Sequence, residues 1–283
     1  MAFEPENLGL SATGLPLLRD LIHERTGLFY DNGRYDTLAD RLAPLVIERG
    51  FHTFLDLYYL LRYDEPEAAN EWRRVMDALS VQETYFWREI DQIKGMAGTI
   101  LPELLRATGD KPVQIWSVPC ATGEEPLTIA MVLEETGWFG RAQIEIHASD
   151  ASPAAIAKAR TARYRERSFR ALPLELREKY FFTSNDSASM PVPSLQHRVT
   201  SWSVVNLMDQ TQVAAYADSP VIVCRNAFIY FSPQSVRKVI DVFADHMPTP
   251  GYLLVGASES LLSITDRFVL EDLERAFVYV KRS

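Results

Sequence analysis

The sequence predicts a small all-α domain followed by an α/β domain with a doubly wound, Rossmann-like sheet. Two observations carry this expectation. Over the first part of the chain apolar residues recur at helical spacing, whereas from Val113 onward short apolar runs alternate with helical stretches, the pattern of parallel βαβ units. Domains are expected over 1–94 and 95–283.

Helical periodicity marks Leu15 to Thr26 and Tyr35 to Glu48, with Gly27 and Gly50 placed as C-terminal caps. Phe54 to Arg62 and Asn70 to Leu79 continue the pattern, separated by the Asp64-Glu65-Pro66 break. An aromatic stretch, SVQETYFWRE over Ser80 to Glu89, leads into a helix reaching about Arg106. The strands of the second domain are expected at Val113 to Val118, Gln143 to Ser149, Val221 to Cys224 and Tyr252 to Val255. Helices follow the first three, at Leu127 to Glu135, Pro153 to Ala162 and Pro233 to Asp245. Between Tyr164 and Met208 lies an insertion with a polar loop, SNDSASMPVPS. The alternation from Arg198 to Val205 suits an antiparallel hairpin, giving a small antiparallel β insertion at about 178–206. RFVLED and AFVYVK read as a final pair of strands.

Composition narrows the partners. The opening MAFEPENLG carries acids where a secretory leader carries positive charge, and no apolar run is long enough to span a bilayer, so a cytoplasmic protein without membrane insertion is expected. Residues 1–94 hold 10 Lys+Arg against 17 Asp+Glu, a balance that disfavours nucleic acid or an anionic membrane as partner of that part. Two cysteines, Cys120 and Cys224, are too few for a disulfide framework or a zinc site, and no metal is expected. Each ends a strand, and in the usual strand order these are neighbours. They read as small buried apolar residues, a redox pair being the alternative.

The loop in VQIWSVPCATGEEPLTIAMV, between the first strand and its helix, is the first place to look for a ligand. A dinucleotide site needs a glycine-rich turn for the pyrophosphate, but only Gly123 is present, and Glu124 and Glu125 would repel phosphate. A cationic ligand without phosphates fits better, and S-adenosylmethionine carries a sulfonium and an ammonium. Asp150, closing the second strand in IHASD, stands where a carboxylate accepts hydrogen bonds from ribose hydroxyls. Helix-dipole placement of the two glutamates and an N-cap role for Asp150 are the structural alternatives.

The runs IWSVPCATGEEPLTIAMVLEE, HASDASPAAIAKARTARY, SVVNLMD and VIVCRNAFIYFS, with LIHERTGLFY and EWRRVMDALSVQETYFWRE nearer the start, resemble the CheR-type chemotaxis receptor methyltransferases. The resemblance implies a class I methyltransferase fold and transfer of a methyl group from S-adenosylmethionine to receptor glutamates, leaving S-adenosylhomocysteine. It implies as partner the cytoplasmic helical domain of a methyl-accepting chemoreceptor or similar signalling protein, met by a monomer. The family's cofactor-contacting positions fall on Gln82, Thr84, Arg88, Glu125, Asp150, Asn206, Leu207, Arg225 and Asn226, and Tyr230 matches a tyrosine near the transferred methyl. Arg88 and Tyr230 are the candidates to hold the substrate carboxylate.

Several positions depart from the family pattern. Gln82 replaces a usual asparagine, Leu127-Thr128 a Tyr-Ser pair, and Ala257 a common histidine. The second helix lacks the basic face such enzymes commonly present: over 34–50, Arg34, Arg41 and Arg49 are balanced by Asp36, Asp40 and Glu48. A basic cluster stands instead at Lys158, Arg160, Arg163, Arg165, Arg167 and Arg170, read either as a solvated helix end or as an arm engaging acidic substrate. A nucleic-acid methyltransferase and a non-catalytic cofactor or receptor-binding module are the rival readings. The first lacks the Asn/Asp-Pro-Pro-aromatic pattern after the Val221 strand, and the second rests on Gln82 alone.

Overall fold

The computed structural model describes residues 12–109, 111–184 and 188–282; the acidic start MAFEPENLG and Asn185 to Ser187 of the polar loop lie outside them. The chain divides into two compact units. Residues up to Val81 together with Tyr230–Ser235 form one, and Gln82–Ile229 with Val236–Ser283 form the other.

The first unit is built on four helices: α1 (Leu15–Thr26), α2 (Tyr35–Glu48), α3 (Phe54–Tyr63) and α4 (Glu65–Leu79). Their ends are set by local chemistry. Gly27 takes a left-handed C-cap on α1, and Thr53 and Asp56 form a reciprocal capping box on α3. Asp64 caps α4, and Pro66 sits in its first turn, so α4 starts earlier than the expected Asn70. Leu18, Ile22, Leu38, Leu42, Phe54 and Leu57 make a shared core, each side chain worth about 1.5–3 kcal/mol of burial. Gly14 is required where it stands, since a Cβ there would lie 2.6 Å from Leu55. The Tyr230–Ser235 segment joins this unit through an antiparallel bridge of Leu28 with Phe231, and Phe29 N donates to the Tyr230 carbonyl at 2.8 Å.

The second unit opens with α5 (Ile90–Gly95), a π-helical turn over Met96–Ile100, and α6 (Leu101–Thr108). It continues through β1 (Val113–Ser117), α7 (Glu124–Glu135), β2 (Ile144–Asp150), α8 (Pro153–Thr161), α9 (Leu174–Tyr180), β3 (Phe181–Thr183), β4 (Ser189–Pro191), α10 (Pro193–Gln196) and β5 (Val199–Val204). After these come α11 (Gln210–Ala214), β6 (Val221–Cys224), α12 (Pro233–His246), β7 (Gly251–Val255), β8 (Val269–Asp272) and β9 (Phe277–Lys281). The main sheet runs β5-β2-β1-β6-β7-β9-β8, parallel from β5 to β7 and antiparallel at β9 and β8. This is the Rossmann-like, doubly wound sheet expected. β1 and β6, with Ile115, Trp116, Val221 and Val223 fully buried, form its centre.

One strand departs from expectation. Val199–Val204 is not half of an antiparallel hairpin: it pairs in parallel with β2 as the edge strand of the main sheet. The small antiparallel pair is β3 with β4. The alternation written in the sequence from Arg198 to Val205 fits an edge strand as well as a hairpin strand, and period alone does not separate the two; in the fold only Val199 of β5 is buried. Among the described residues, no helix is long and apolar enough to cross a membrane.

Candidate functional site

The carboxyl ends of β5, β2, β1 and β6 lie side by side, and the winding direction reverses at β1, which has β2 on one flank and β6 on the other. A crevice outside the strand ends at such a reversal is where open α/β sheets take ligands. The residues beyond these four ends define the site.

The loop from β1 to α7 is shaped by packing as well as charge. Gly123 precedes α7 at φ +97°, and a Cβ there would meet Trp202, the Tyr164 hydroxyl and Ala159 at 3.0–3.1 Å. The glycine serves close approach of the protein to itself. Glu124, expected to face a ligand beside Glu125, points inward. It is 2% exposed and accepts hydrogen bonds from Thr122 Oγ1 at 2.6 Å and Ser168 Oγ at 2.9 Å. Burial raises its pKa against the pull of those hydroxyls. Glu125 faces the strand ends: its Oε1 accepts from Ser117 Oγ at 2.7 Å, and its Oε2 pairs with Arg225 Nε at 2.8 Å.

Arg225, whose side chain is 2% exposed, is saturated with acceptors. Besides Glu125 it donates to the carbonyls of Arg88 and Glu89 at 3.1 Å each and to Gln92 Oε1 at 3.3 Å. A guanidinium removed from water needs this many partners, which answers why a cation closes a buried strand. It ties the segment from Arg88 to Gln92 to β6. Asn226, next in sequence, adopts left-handed φ +59° and donates from Nδ2 to Glu89 Oε1 at 3.2 Å.

Asp150 is buried at the end of β2, where its Oδ2 accepts from Ala121 N and its Oδ1 from Ser152 N, each at 2.9 Å. The N-cap of α8 is Ser152, whose hydroxyl accepts from Ala155 N, so Asp150 is not the cap. Val205 N donates to the Asp150 carbonyl at 3.0 Å, and this β2–β5 pairing carries Asn206 and Leu207 to the same edge. Asn206 Oδ1 accepts from Met208 N, and Leu207 is buried. Gln82 reaches Ser152 Oγ at 3.4 Å with its amide nitrogen, while its oxygen accepts from Lys158 Nζ at 3.0 Å.

Thr84 is partly buried within the same stretch. Arg88 lies in the sheet-bearing unit; it donates to the Glu83 carbonyl at 3.0 Å, stands 5.7 Å from the Tyr85 ring and 3.8 Å from Glu89. Its acidic neighbour is therefore within its own unit. Gln82, Glu125, Asp150, Asn206, Leu207, Arg225 and Asn226 thus gather at one sheet edge. Tyr230 belongs to the segment that packs with the helices. Sequence reasoning missed Glu89 and Gln92, whose partners Arg225, Asn226 and Val255 lie far along the chain, and Ser117, whose hydroxyl meets Glu125 across the turn from β1 to α7.

The donor set suits S-adenosylmethionine better than a dinucleotide. The loop glycine is required by packing against Trp202, Tyr164 and Ala159 rather than by a pyrophosphate, and the Asp150 carboxylate is pinned at the end of β2, where such sheets bind a ribose. Setting Asp150, Glu125 and Glu89 against Arg225 and Arg88 leaves the edge net negative, which favours a cationic ligand. Cys120 and Cys224 flank this edge as buried free thiols, and burial pushes both well above the ordinary thiol range, away from reactive thiolate.

Known proteins agree with this reading. The family model for the CheR methyltransferase SAM binding domain matches residues 82–277, and that for the CheR methyltransferase all-alpha domain matches residues 14–80. Chemotaxis protein methyltransferase 2 of Vibrio cholerae is 30% identical over 264 residues, covering 93% of this chain and 91% of that protein. Chemotaxis protein methyltransferase 1 of Pseudomonas aeruginosa is 25% identical, covering 93% of this chain and 96% of its own length. A probable biofilm formation methyltransferase, WspC of Pseudomonas putida, is 29% identical across 92% of this chain and 60% of that protein. With both of its segments matched in order and carboxylates gathered at the sheet reversal, the chain belongs to the CheR methyltransferase family and is an S-adenosylmethionine-dependent methyltransferase.

Proposed function

We propose that the chain transfers the methyl group of S-adenosylmethionine to glutamate side chains of a chemoreceptor-like signalling protein in the cytoplasm, forming methyl esters. The observation that carries this reading is the Glu125–Arg225–Glu89 cluster beside a buried, amide-pinned Asp150 at the sheet reversal. In this reading Gln82, Thr84, Glu125, Asp150, Asn206, Leu207, Arg225 and Asn226 hold the cofactor. Arg88 and Tyr230 hold the substrate carboxylate in line.

The cofactor supplies an electrophilic methyl on a sulfonium. A glutamate carboxylate is already ionised near neutral pH, so no residue has to remove a proton. The chain contributes alignment and exclusion of water. That division of labour fits a site whose charged groups are mutually paired and whose thiols are buried.

Charge on the surface supports an acidic substrate approaching the sheet unit. Arg41 donates to the Leu79 carbonyl and Arg49 pairs with Glu67 and Glu71, so the exposed face of α2 shows Asp36, Thr37, Pro44, Ile47 and Glu48. Arg160, Arg163, Arg165 and Arg167 are exposed around the end of α8.

Incubation with methyl-labelled S-adenosylmethionine and membranes of the native host, followed by base treatment, tests the reaction. Volatile methanol is the expected product; base-stable label would overturn the proposal. Arg88→Ala is expected to abolish transfer while cofactor affinity, read by calorimetry, stays within about threefold. Loss of affinity would place Arg88 in the cofactor shell instead.

A further inference from the structure

Beyond the residues that would touch cofactor or substrate, one carboxylate has an unusual set of partners. Glu259 follows β7, and its two oxygens accept four backbone N–H groups. Oε1 takes Phe228 N at 2.6 Å and Ile229 N at 3.2 Å; Oε2 takes Gly256 N at 2.7 Å and Asn226 N at 2.8 Å. Three of those amides belong to the turn that leaves β6, carries Asn226 and runs directly into Tyr230.

We propose that Glu259 is a positioning residue for methyl transfer, fixing through these amides the turn that sets Asn226 and delivers Tyr230. The inference rests on the methyl-transfer reading of this edge.

The surroundings are built for that grip. Asn226 holds a left-handed backbone, a conformation asparagine adopts more readily than other side-chain-bearing residues, and its neighbours hold it there. Its amide N–H goes to Glu259 and its side-chain amide to Glu89, so two carboxylates hold it from two directions. Gly256 lets the strand end come close: a Cβ there would lie 2.6 Å from Asn226 Nδ2 and 2.9 Å from Glu259 Oε2. Ala257 N donates to Glu89 Oε2 at 3.1 Å, so the segment after β7 is clasped by the second carboxylate as well. Burial raises the pKa of Glu259 while the four amides pull it down, the balance of a partly buried carboxylate surrounded by backbone donors.

Geometry also dictates the informative substitution. A glutamine presents one oxygen and one NH2 group, so whichever way it sits, two of the four backbone donors face another donor. Glu259→Gln therefore releases half of the grip without changing the volume. Glu259→Asp keeps both oxygens and shortens the reach by one methylene.

The test uses the full chain, methyl-labelled S-adenosylmethionine and native-host membranes, with sites counted by S-adenosylhomocysteine calorimetry. Glu259→Gln is expected to lower kcat per binding site about 100-fold, the scale of a small misplacement in an aligned reaction, with KM for the membranes within about threefold. Glu259→Asp is expected to fall between that variant and wild type. An unchanged kcat per binding site overturns the proposal, because a purely structural group would lower the unfolding midpoint and the number of sites but not the turnover of those that remain. If the glutamine variant does not fold, the aspartate variant carries the same comparison. Absence of methyl ester formation by wild type defeats the methyl-transfer reading itself, whatever Glu259 does.

Discussion

Glu124 and Glu125 adjoin in sequence, yet one turns into the protein against Thr122 and Ser168 while the other pairs with Arg225 at the strand ends. Because burial raises the pKa of Glu124 above its unfolded value, the folded state binds its proton more tightly, and the ionised form costs stability at neutral pH. That cost is relieved as the pH falls through the folded pKa toward the ordinary glutamate range. Glu124→Gln is therefore expected to be within about 1 kcal/mol of wild type at pH 7 and to lack the relief on acidification, since a hydroxyl can turn to meet the amide. Urea unfolding at pH 7 and pH 5 checks this; a variant destabilised by more than about 3 kcal/mol at pH 7 would contradict it. The adjacent pair shows what sequence leaves open at this scale. Residue types marked the acidic loop and Asp150, but which glutamate faces the crevice depends on Ser168 and Arg225, which approach only in the folded chain.

Helices α2 and α4 are joined through a charge placed inside the first unit. Glu71 is fully buried, accepts from Arg49 and Arg74, and Arg74 also pairs with Glu48. Glu71→Ala leaves two guanidinium groups without their inner partner and is expected to destabilise by about 3 kcal/mol, read from denaturant melts. A loss below about 1 kcal/mol would mean that the cluster behaves as a surface network. Elements were largely legible in the sequence: α1, α2 and β6 fall where periodicity, capping residues and apolar runs put them. The misreadings have physical causes. The sequence alternation around β5 is compatible with an edge strand as well as with a hairpin, and α4 begins before Asn70 because Pro66 opens a helix as readily as it breaks one. The grip of Glu259 on four amides was invisible, since backbone partners leave no trace in residue types.

Charge at the scale of the molecule bears on substrate choice. Residues 1–94 are net acidic, and Arg41 of α2 and Arg49 at its end are engaged within their own unit. Exposed cations gather instead near α8, so Arg163→Glu with Arg167→Glu is expected to raise KM for receptor-bearing membranes about tenfold at low salt and much less at high salt, with kcat little changed. A KM that does not move, or moves equally at both salts, would exclude this surface from docking. Connectivity has a consequence of a different kind. The Tyr230–Ser235 segment packs with the helices, with His23 Nε2 2.8 Å from Ser232 Oγ, although the chain reaches it only after threading β1 to β6. The helical unit is thus discontinuous in the gene: a cut at residue 82 leaves the N-terminal piece without the Tyr230–Ser235 segment that packs with it. Recombination at that joint would separate Leu28 and His23 from the native segment they clasp, and the incoming half would have to bring a segment of its own that fits them.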